Sequence, residues 1–83
     1  SKFQKRNSNV KLIQDLLAHL NQNFTDEIDL KELANQFNIS YHHMCHLFKD
    51  FTNSSIIQYV TSLRIDKSIY YLKQTLLHNL YLK

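Results

Sequence analysis

Three side chains that could bind a metal ion lie close together near the middle of the 83-residue sequence. His42 and His46 are one helical turn apart, and that spacing can chelate Zn²⁺. Cys45 offers a third ligand at a nearby angle. A structural zinc site needs four ligands, and the sequence has neither a Cys-x-x-Cys pair nor a His-Glu-x-x-His motif. We therefore expect adventitious metal binding at most, and no biological metal site.

Redox and catalytic chemistry find less support. Cys45 is the single cysteine, and a redox sensor would need an electropositive, partly exposed setting that the two histidines would have to supply. The sequence has no Gly-rich phosphate loop, no recognisable Ser/His/Asp order and no paired carboxylates beyond a capping turn. We expect neither an enzyme nor a cofactor.

Hydrogen bonding to DNA is the chemistry that these residues fit better. The major groove admits one α-helix, which presents the side chains near its N-terminus to the base edges. Such side chains must be polar or flat and must not be needed for the core. Tyr41, His42, Cys45 and His46 meet that demand on one face of a helix. Phosphates can be bound at its start, where Ser40 stands with free backbone N–H groups, and one turn later by Lys49.

The elements that must hold these residues are all predicted to be helices. Gly and Pro are absent, which disfavours tight hairpins, and 43% of the residues are hydrophobic. Apolar periodicity predicts a helix from Ser8 or Asn9 to about residue 24, followed by short helices over residues 29–37 and 40–51. A long helix then runs from Ser54 or Ser55 to about residue 74, and residues 76–83 resemble the start of a truncated last helix.

Local signals mark the boundaries of these helices. Asp29, with Glu32 three residues later, forms an Asp version of the capping box, and Ser40 is the next N-cap. Asn38 and Asn53 follow helices at positions where a left-handed residue is wanted, and Asn is the best substitute for Gly there. The predicted fold is a small, homeodomain-like helix-turn-helix bundle of about four helices.

The predicted core faces follow from the same periodicity. In the helix over residues 40–51 the inward side chains are Met44, Leu47, Phe48 and Phe51. In the long helix the buried stripe is predicted to contain Ile56, Tyr59, Val60, Leu63, Ile69 and Leu72.

Charge and composition bear on the cellular setting. The formal net charge is +3, and the whole excess lies in residues 41–83, which also contain four of the five histidines. A single cysteine and the lack of a long apolar run favour a reducing cytoplasm and no membrane. The chain starts with Ser rather than Met, so we expect a segment of a longer protein. Residues 1–8, with Lys2, Lys5 and Arg6, are interpreted as a linker or flexible lead-in, and residues 9–83 as the folded unit.

A family resemblance becomes visible over residues 28–49. The Leu33-Ala34 helix, the Ser40 cap and Phe48-Lys49, continued by Asn53, Ser55, Tyr59 and Arg64, are similar to the AraC/XylS family of bacterial regulators. The resemblance covers about residues 10–83 and corresponds to the first helix-turn-helix subdomain and the linker helix. Asn38 and Asn53 replace the family's glycines. The family has a second such motif, whose start would lie at residues 80–82.

What the resemblance implies is sequence-specific binding to double-stranded promoter DNA, with RNA polymerase as a possible further partner of the full-length regulator. It implies that His42, Cys45 and His46 contact bases, and that Ser40, Tyr41, Lys49 and Arg64 contact the DNA backbone or support residues that do. Two imidazoles and a thiol discriminate between bases less sharply than the side chains of Arg, Asn or Gln do. Protonated histidines would add positive charge, so we expect DNA binding to weaken as the pH rises through the histidine range.

Several alternatives stay open. Arg64 is as readily a partner within the fold as a phosphate contact, and Tyr59 fits core packing better than DNA. His43 is ambiguous, because it could face the neighbouring helix. The alternative function is an all-α protein-interaction or dimerisation module without DNA readout. The apolar end of the chain suggests this alternative, because exposed leucines there could drive self-association. They are Leu76, Leu77, Leu80 and Leu82, with Tyr81 beside them. A structure that buries Tyr41, His42, His46 and Lys49 together would exclude the DNA hypothesis.

Overall fold

Four α-helices make up the computed structural model, which describes residues 2–81. In chain order they are α1 (Lys2–Asn23), α2 (Leu30–Gln36), α3 (Tyr41–Thr52) and α4 (Ile56–Tyr81). No strand occurs among the described residues, so the predicted all-α helix-turn-helix bundle is confirmed.

The first helix begins earlier than its apolar pattern predicts. Its backbone is helical from Lys2 rather than from Ser8 or Asn9. No Gly or Pro interrupts residues 2–8, and extending an existing helix is far easier than nucleating one. The interpretation of Lys2, Lys5 and Arg6 as part of a flexible lead-in concerns side chains that lie outside the described part of the structure.

The turn between α2 and α3 closes in the way that its Asn predicts. Asn38 has a φ of 58°, in the left-handed region. The N–H of Ile39 donates to the Ala34 carbonyl at 3.1 Å, and the N–H of Asn38 donates to the Asn35 carbonyl at 3.1 Å. This pair of bonds is a Schellman motif, which satisfies the last carbonyls of α2 and reverses the chain toward α3.

The N-caps and the second left-handed Asn are also confirmed. One carboxylate oxygen of Asp29 accepts from the backbone N–H groups of Lys31 and Glu32, at 3.0 and 3.3 Å. Asn53, with a φ of 58°, ends α3, and its N–H donates to the Lys49 carbonyl at 2.8 Å. These bonds are local, so the boundaries of the two short helices follow from sequence alone.

The core lies where one face of each helix meets the others. Phe48, Leu16, Leu20 and Met44 are its largest fully buried side chains. The remaining buried side chains are Ile13, Leu33, Ala34, Leu47, Ile56 and Val60.

Three predicted core residues are exposed. Phe51, at 44% exposure, lies in the last turn of α3, beyond the part of that helix that packs on the core. Ile69 and Leu72 are 46% and 61% exposed. They lie past Lys67, the last position of α4 that is even half-buried, so no other described helix covers them.

The last helix is one continuous element. No break occurs near residue 75, so the separate truncated helix predicted over 76–83 is wrong for residues 76–81, and residues 82–83 lie outside the description. Every residue from 68 to 80 is exposed, and the described chain measures 64 × 25 × 17 Å. None of the described helices combines the length and the hydropathy that crossing a bilayer demands.

Candidate nucleic-acid interface

The start of α3 is fixed by Ser40. Its Oγ accepts a hydrogen bond from the N–H of His43 at 3.0 Å, and its carbonyl accepts from the N–H of Met44 at 3.0 Å. The side chain therefore caps the helix, as predicted, and its hydroxyl is exposed. Because the hydroxyl proton remains free to donate, Ser40 can still reach a phosphate oxygen.

The inward side of α3 fixes its rotation. Met44 and Phe48 are fully buried, and Leu47 is buried with them. The Phe48 ring packs edge-on against Tyr59 of α4, with 5.7 Å between centroids. This packing confirms the structural interpretation of Tyr59 and determines which residues of α3 face outward.

The outward side of α3 is polar and accessible. Tyr41, His42, His46 and Lys49 are all exposed, which is the outcome that the DNA hypothesis requires. Cys45 differs from the prediction, because it is half-buried and packs against the core. Its position leaves it less available for a base contact than the two histidines.

His43 is exposed rather than directed at a neighbouring helix. The first two turns of α3 therefore present three accessible imidazoles, from His42, His43 and His46. Imidazole can donate or accept a hydrogen bond, so this surface offers both kinds of group to a ligand.

The rings of His42 and His46 lie against each other. Their centroids are 4.6 Å apart and their planes meet at 60°. Among the described residues, no group of three or more His, Cys, Asp or Glu side chains is arranged to hold a metal ion. The short distance between the two rings shows that His42 and His46 are neighbours on one face of α3, as their spacing of four residues predicts.

Tyr41 contacts Cys45, which lies four residues later on α3. The negative charge of the Cys45 thiolate and a side-chain hydrogen bond to Cys45 raise the pKa of Tyr41 above its ordinary value. Tyr41 is therefore a neutral phenol near neutral pH, and it can donate a hydrogen bond to an anionic group.

Arg64 is used within the fold. Its Nε donates to the Phe24 carbonyl at 2.7 Å, and its Nη2 donates to the Asp26 carbonyl at 3.0 Å. These bonds tie α4 to the connection between α1 and α2. Of the two roles that the sequence left open for Arg64, the structure shows the intramolecular one.

Two hydrogen-bonded contacts that support the fold were not predicted from the sequence. The Tyr59 hydroxyl donates to Asn21 Oδ1 at 2.9 Å, and no local pattern links residues so far apart. Gln58 completes a capping box at the start of α4, since its Oε1 accepts from the N–H of Ser55 and its own N–H donates to Ser55 Oγ. The Ser-x-x-Gln spacing of Ser55 and Gln58 is the sequence signal that could have predicted this capping box.

Comparisons with known proteins point to the same kind of motif. The chain is similar to the uncharacterized HTH-type transcriptional regulator YdiP of Escherichia coli (strain K12), with 35% identity over 64 residues. The match covers 77% of this chain and 21% of the relative, so the chain spans about one fifth of that protein's length. No protein-family model matches the sequence, and no solved structure matches it significantly.

Proposed function

We propose that this chain is a sequence-specific DNA-binding segment of a bacterial transcription regulator, acting in the cytoplasm, with α3 in the major groove. One observation carries the proposal: Tyr41, His42, His46 and Lys49 are exposed together on a helix whose opposite side is buried. The left-handed Asn38 and the cap at Ser40 join α2 to α3 through a short turn, which is the layout of a helix-turn-helix. The similarity to a regulator named for that motif supports the same function.

The roles that we assign follow from position and chemistry. His42 and His46 contact base edges, with Cys45 at the margin of that surface. Ser40, Tyr41 and Lys49 contact phosphates, because they combine exposure with a hydroxyl or ammonium donor. We assign Arg64 to the fold rather than to phosphate, because two of its donors are already engaged.

The finer assignment is to the AraC/XylS type. The joint spacing of Leu33-Ala34, Ser40, Phe48-Lys49, Tyr59 and Arg64 supports it, and it implies a second reading helix elsewhere in the full-length regulator. Contacts with RNA polymerase would belong to that full-length protein. A single module makes few phosphate contacts, so this segment alone should bind DNA weakly.

The test uses duplex DNA that the chain itself selects from a random-sequence pool. Affinity is measured by fluorescence anisotropy at several salt concentrations for the native chain and for the variants His42→Ala, His46→Ala and Lys49→Ala. The histidine variants should relax the base preference. The salt slope, which is the slope of the logarithm of the binding constant against the logarithm of the salt concentration, should fall in magnitude by about 1 in Lys49→Ala. Lys11→Ala, which removes an exposed lysine of α1, is the matched control and should change neither.

Unchanged affinity and salt slope in all three α3 variants would exclude α3 as the reading helix.

A further inference from the structure

Two neighbouring imidazoles on the exposed face of α3 can act as ligands to one metal ion. His42 and His46 are both exposed, and their ring centroids are 4.6 Å apart. Because the side chains are exposed, rotation about their χ angles can turn a nitrogen of each ring toward a common point between them. Such a two-ligand site requires less than the four-ligand zinc site that the sequence argues against.

The separation of the two rings distinguishes between metal geometries. An imidazole nitrogen binds a first-row metal at about 2.0–2.1 Å, which places the ring centroid about 3.2 Å from the ion. Two rings at a right angle around one ion then have centroids about 4.5 Å apart, whereas the tetrahedral angle separates them by about 5.2 Å. The observed separation of 4.6 Å matches the right angle. Neighbouring ligands at a right angle are typical of tetragonal Cu²⁺ and Ni²⁺, and Cu²⁺ binds nitrogen ligands more tightly than Ni²⁺ does.

The thiol beside the pair does not complete the site. Cys45 packs against the core, and its side chain hydrogen bonds with Tyr41. In the part of the chain that the structure describes, no three His, Cys, Asp or Glu side chains are grouped around one metal position. The protein therefore offers two nitrogen ligands, and water would fill the other positions around the ion.

We propose that His42 and His46 together bind one Cu²⁺ ion, and that the bound ion prevents α3 from reading DNA. The metal site depends only on the two imidazoles. The competition rests on the proposed function, in which the same two side chains contact base edges. A ring that binds the ion through one nitrogen keeps a single N–H donor and has no acceptor left. The ion and its water ligands also occupy the outward side of α3, where a base edge would otherwise approach.

Isothermal titration calorimetry of the native chain with Cu²⁺ tests the site without DNA. The tightest site should bind one ion per chain. His42→Ala and His46→Ala should each weaken this binding by at least about ten-fold, because each leaves one ligand where there were two. His43→Ala is the matched control, because it removes an exposed histidine next to the pair, and it should keep the native affinity.

Two further measurements identify the geometry of the site. Electron paramagnetic resonance of the Cu²⁺ complex should show a tetragonal ion with two nitrogen ligands, and with one in either single variant. Ni²⁺ does not oxidise thiols, so a titration with Ni²⁺ excludes an effect of Cys45 oxidation. It should rank the variants in the same order at lower affinity.

The DNA measurement uses the duplex that the chain itself selects. One equivalent of Cu²⁺ should weaken binding of the native chain by about ten-fold, comparable to losing a base contact, and EDTA should restore it. The double variant His42→Ala, His46→Ala controls for Cu²⁺ that binds to the DNA itself. Its remaining affinity for the duplex should not change when Cu²⁺ is added.

The possible outcomes separate the metal site from the competition. Equal Cu²⁺ affinity in the native chain and both single variants overturns the site, as does an equal loss in His43→Ala. Cu²⁺ bound at the pair without any change in DNA affinity overturns the competition alone. A native chain that binds no duplex in the absence of metal contradicts the proposed function and the competition with it, while the calorimetry still decides whether the metal site exists.

Discussion

Arg64 Nε donates a hydrogen bond to the Phe24 carbonyl at 2.7 Å, across 40 positions of the sequence. The neighbouring Nη2 binds the Asp26 carbonyl, and the ammonium of Lys67 lies 5.4 Å from the centre of the Phe24 ring. Two cationic side chains of α4 therefore hold the connection that directly follows α1. Because α1 and α4 both pack against α3, this clamp helps to fix the frame on which α3 is mounted.

Arg64→Ala should lower the free energy of unfolding by about 1–2 kcal/mol, because it removes two charge-assisted hydrogen bonds at an exposed site. Arg64→Lys should recover only part of the loss, since an ammonium cannot reproduce the planar fork of donors. Urea denaturation followed by circular dichroism gives both values.

DNA binding separates this structural role from a phosphate contact. At a temperature where the Arg64→Ala variant stays folded, its salt slope should equal that of the native chain. Native stability together with a slope lowered by about 1 would instead assign Arg64 to the DNA backbone.

The left-handed turn before α3 gives a second prediction. Asn38→Ala should destabilise the fold by about 1–2 kcal/mol, because a Cβ without a polar group is unfavourable at a φ of 58°. Asn38→Gly should remain within about 1 kcal/mol of the native chain, since Gly adopts positive φ freely but adds entropy to the unfolded state.

Asn35→Ala supplies the control for Asn38, because Asn35 is an exposed asparagine with helical backbone in α2. Its effect should stay within about 0.5 kcal/mol in the same thermal or urea experiment. An Asn38→Ala variant as stable as Asn35→Ala would mean that the turn tolerates another backbone conformation.

Local chemistry explains what the sequence could predict. The caps at Asp29 and Ser40 and the left-handed residues Asn38 and Asn53 each depend on groups within a few positions of one another. The outward placement of His42 needed only helical periodicity. These features could be deduced before any tertiary contact was known.

Long-range pairing explains what the sequence could not predict. Nothing local links Tyr59 to Asn21, or Arg64 to Phe24, because each bond spans about 40 residues. Periodicity likewise identifies an apolar face without identifying what covers it. Periodicity therefore predicts a buried Ile69, although α4 has already extended past the other helices at that position and Ile69 is exposed.

The two phenylalanines of α3 give a third prediction, since the sequence pattern places both in the core. Phe48 is fully buried and Phe51 is 44% exposed. Phe48→Ala should cost about 3–5 kcal/mol, because it leaves a cavity in the core. Phe51→Ala should cost much less, and it serves as the matched control in the same denaturation series. Equal losses would mean that Phe51 is covered in solution.

The contact between Tyr41 and Cys45 gives a prediction about alkaline pH. The Cys45 thiolate opposes ionisation of the nearby phenol and so raises the pKa of Tyr41 above 10.0, the ordinary value. Folding therefore favours the neutral phenol. The resulting stabilisation is present below the ordinary pKa and is lost as the pH rises through the raised pKa.

Removing the thiol should reverse this shift. In Cys45→Ala the pKa of Tyr41 should fall back toward its ordinary value, as followed by the ¹³Cζ chemical shift of Tyr41 during an alkaline NMR titration. His46→Ala is the matched control, because it alters the same face of α3 while keeping the thiol, and it should leave the Tyr41 titration unchanged. A Tyr41 pKa that is the same in the native chain and in Cys45→Ala would show that the two side chains do not interact in solution. Because the phenol is neutral well above physiological pH, neither variant should alter the charge that Tyr41 presents to a phosphate near neutral pH.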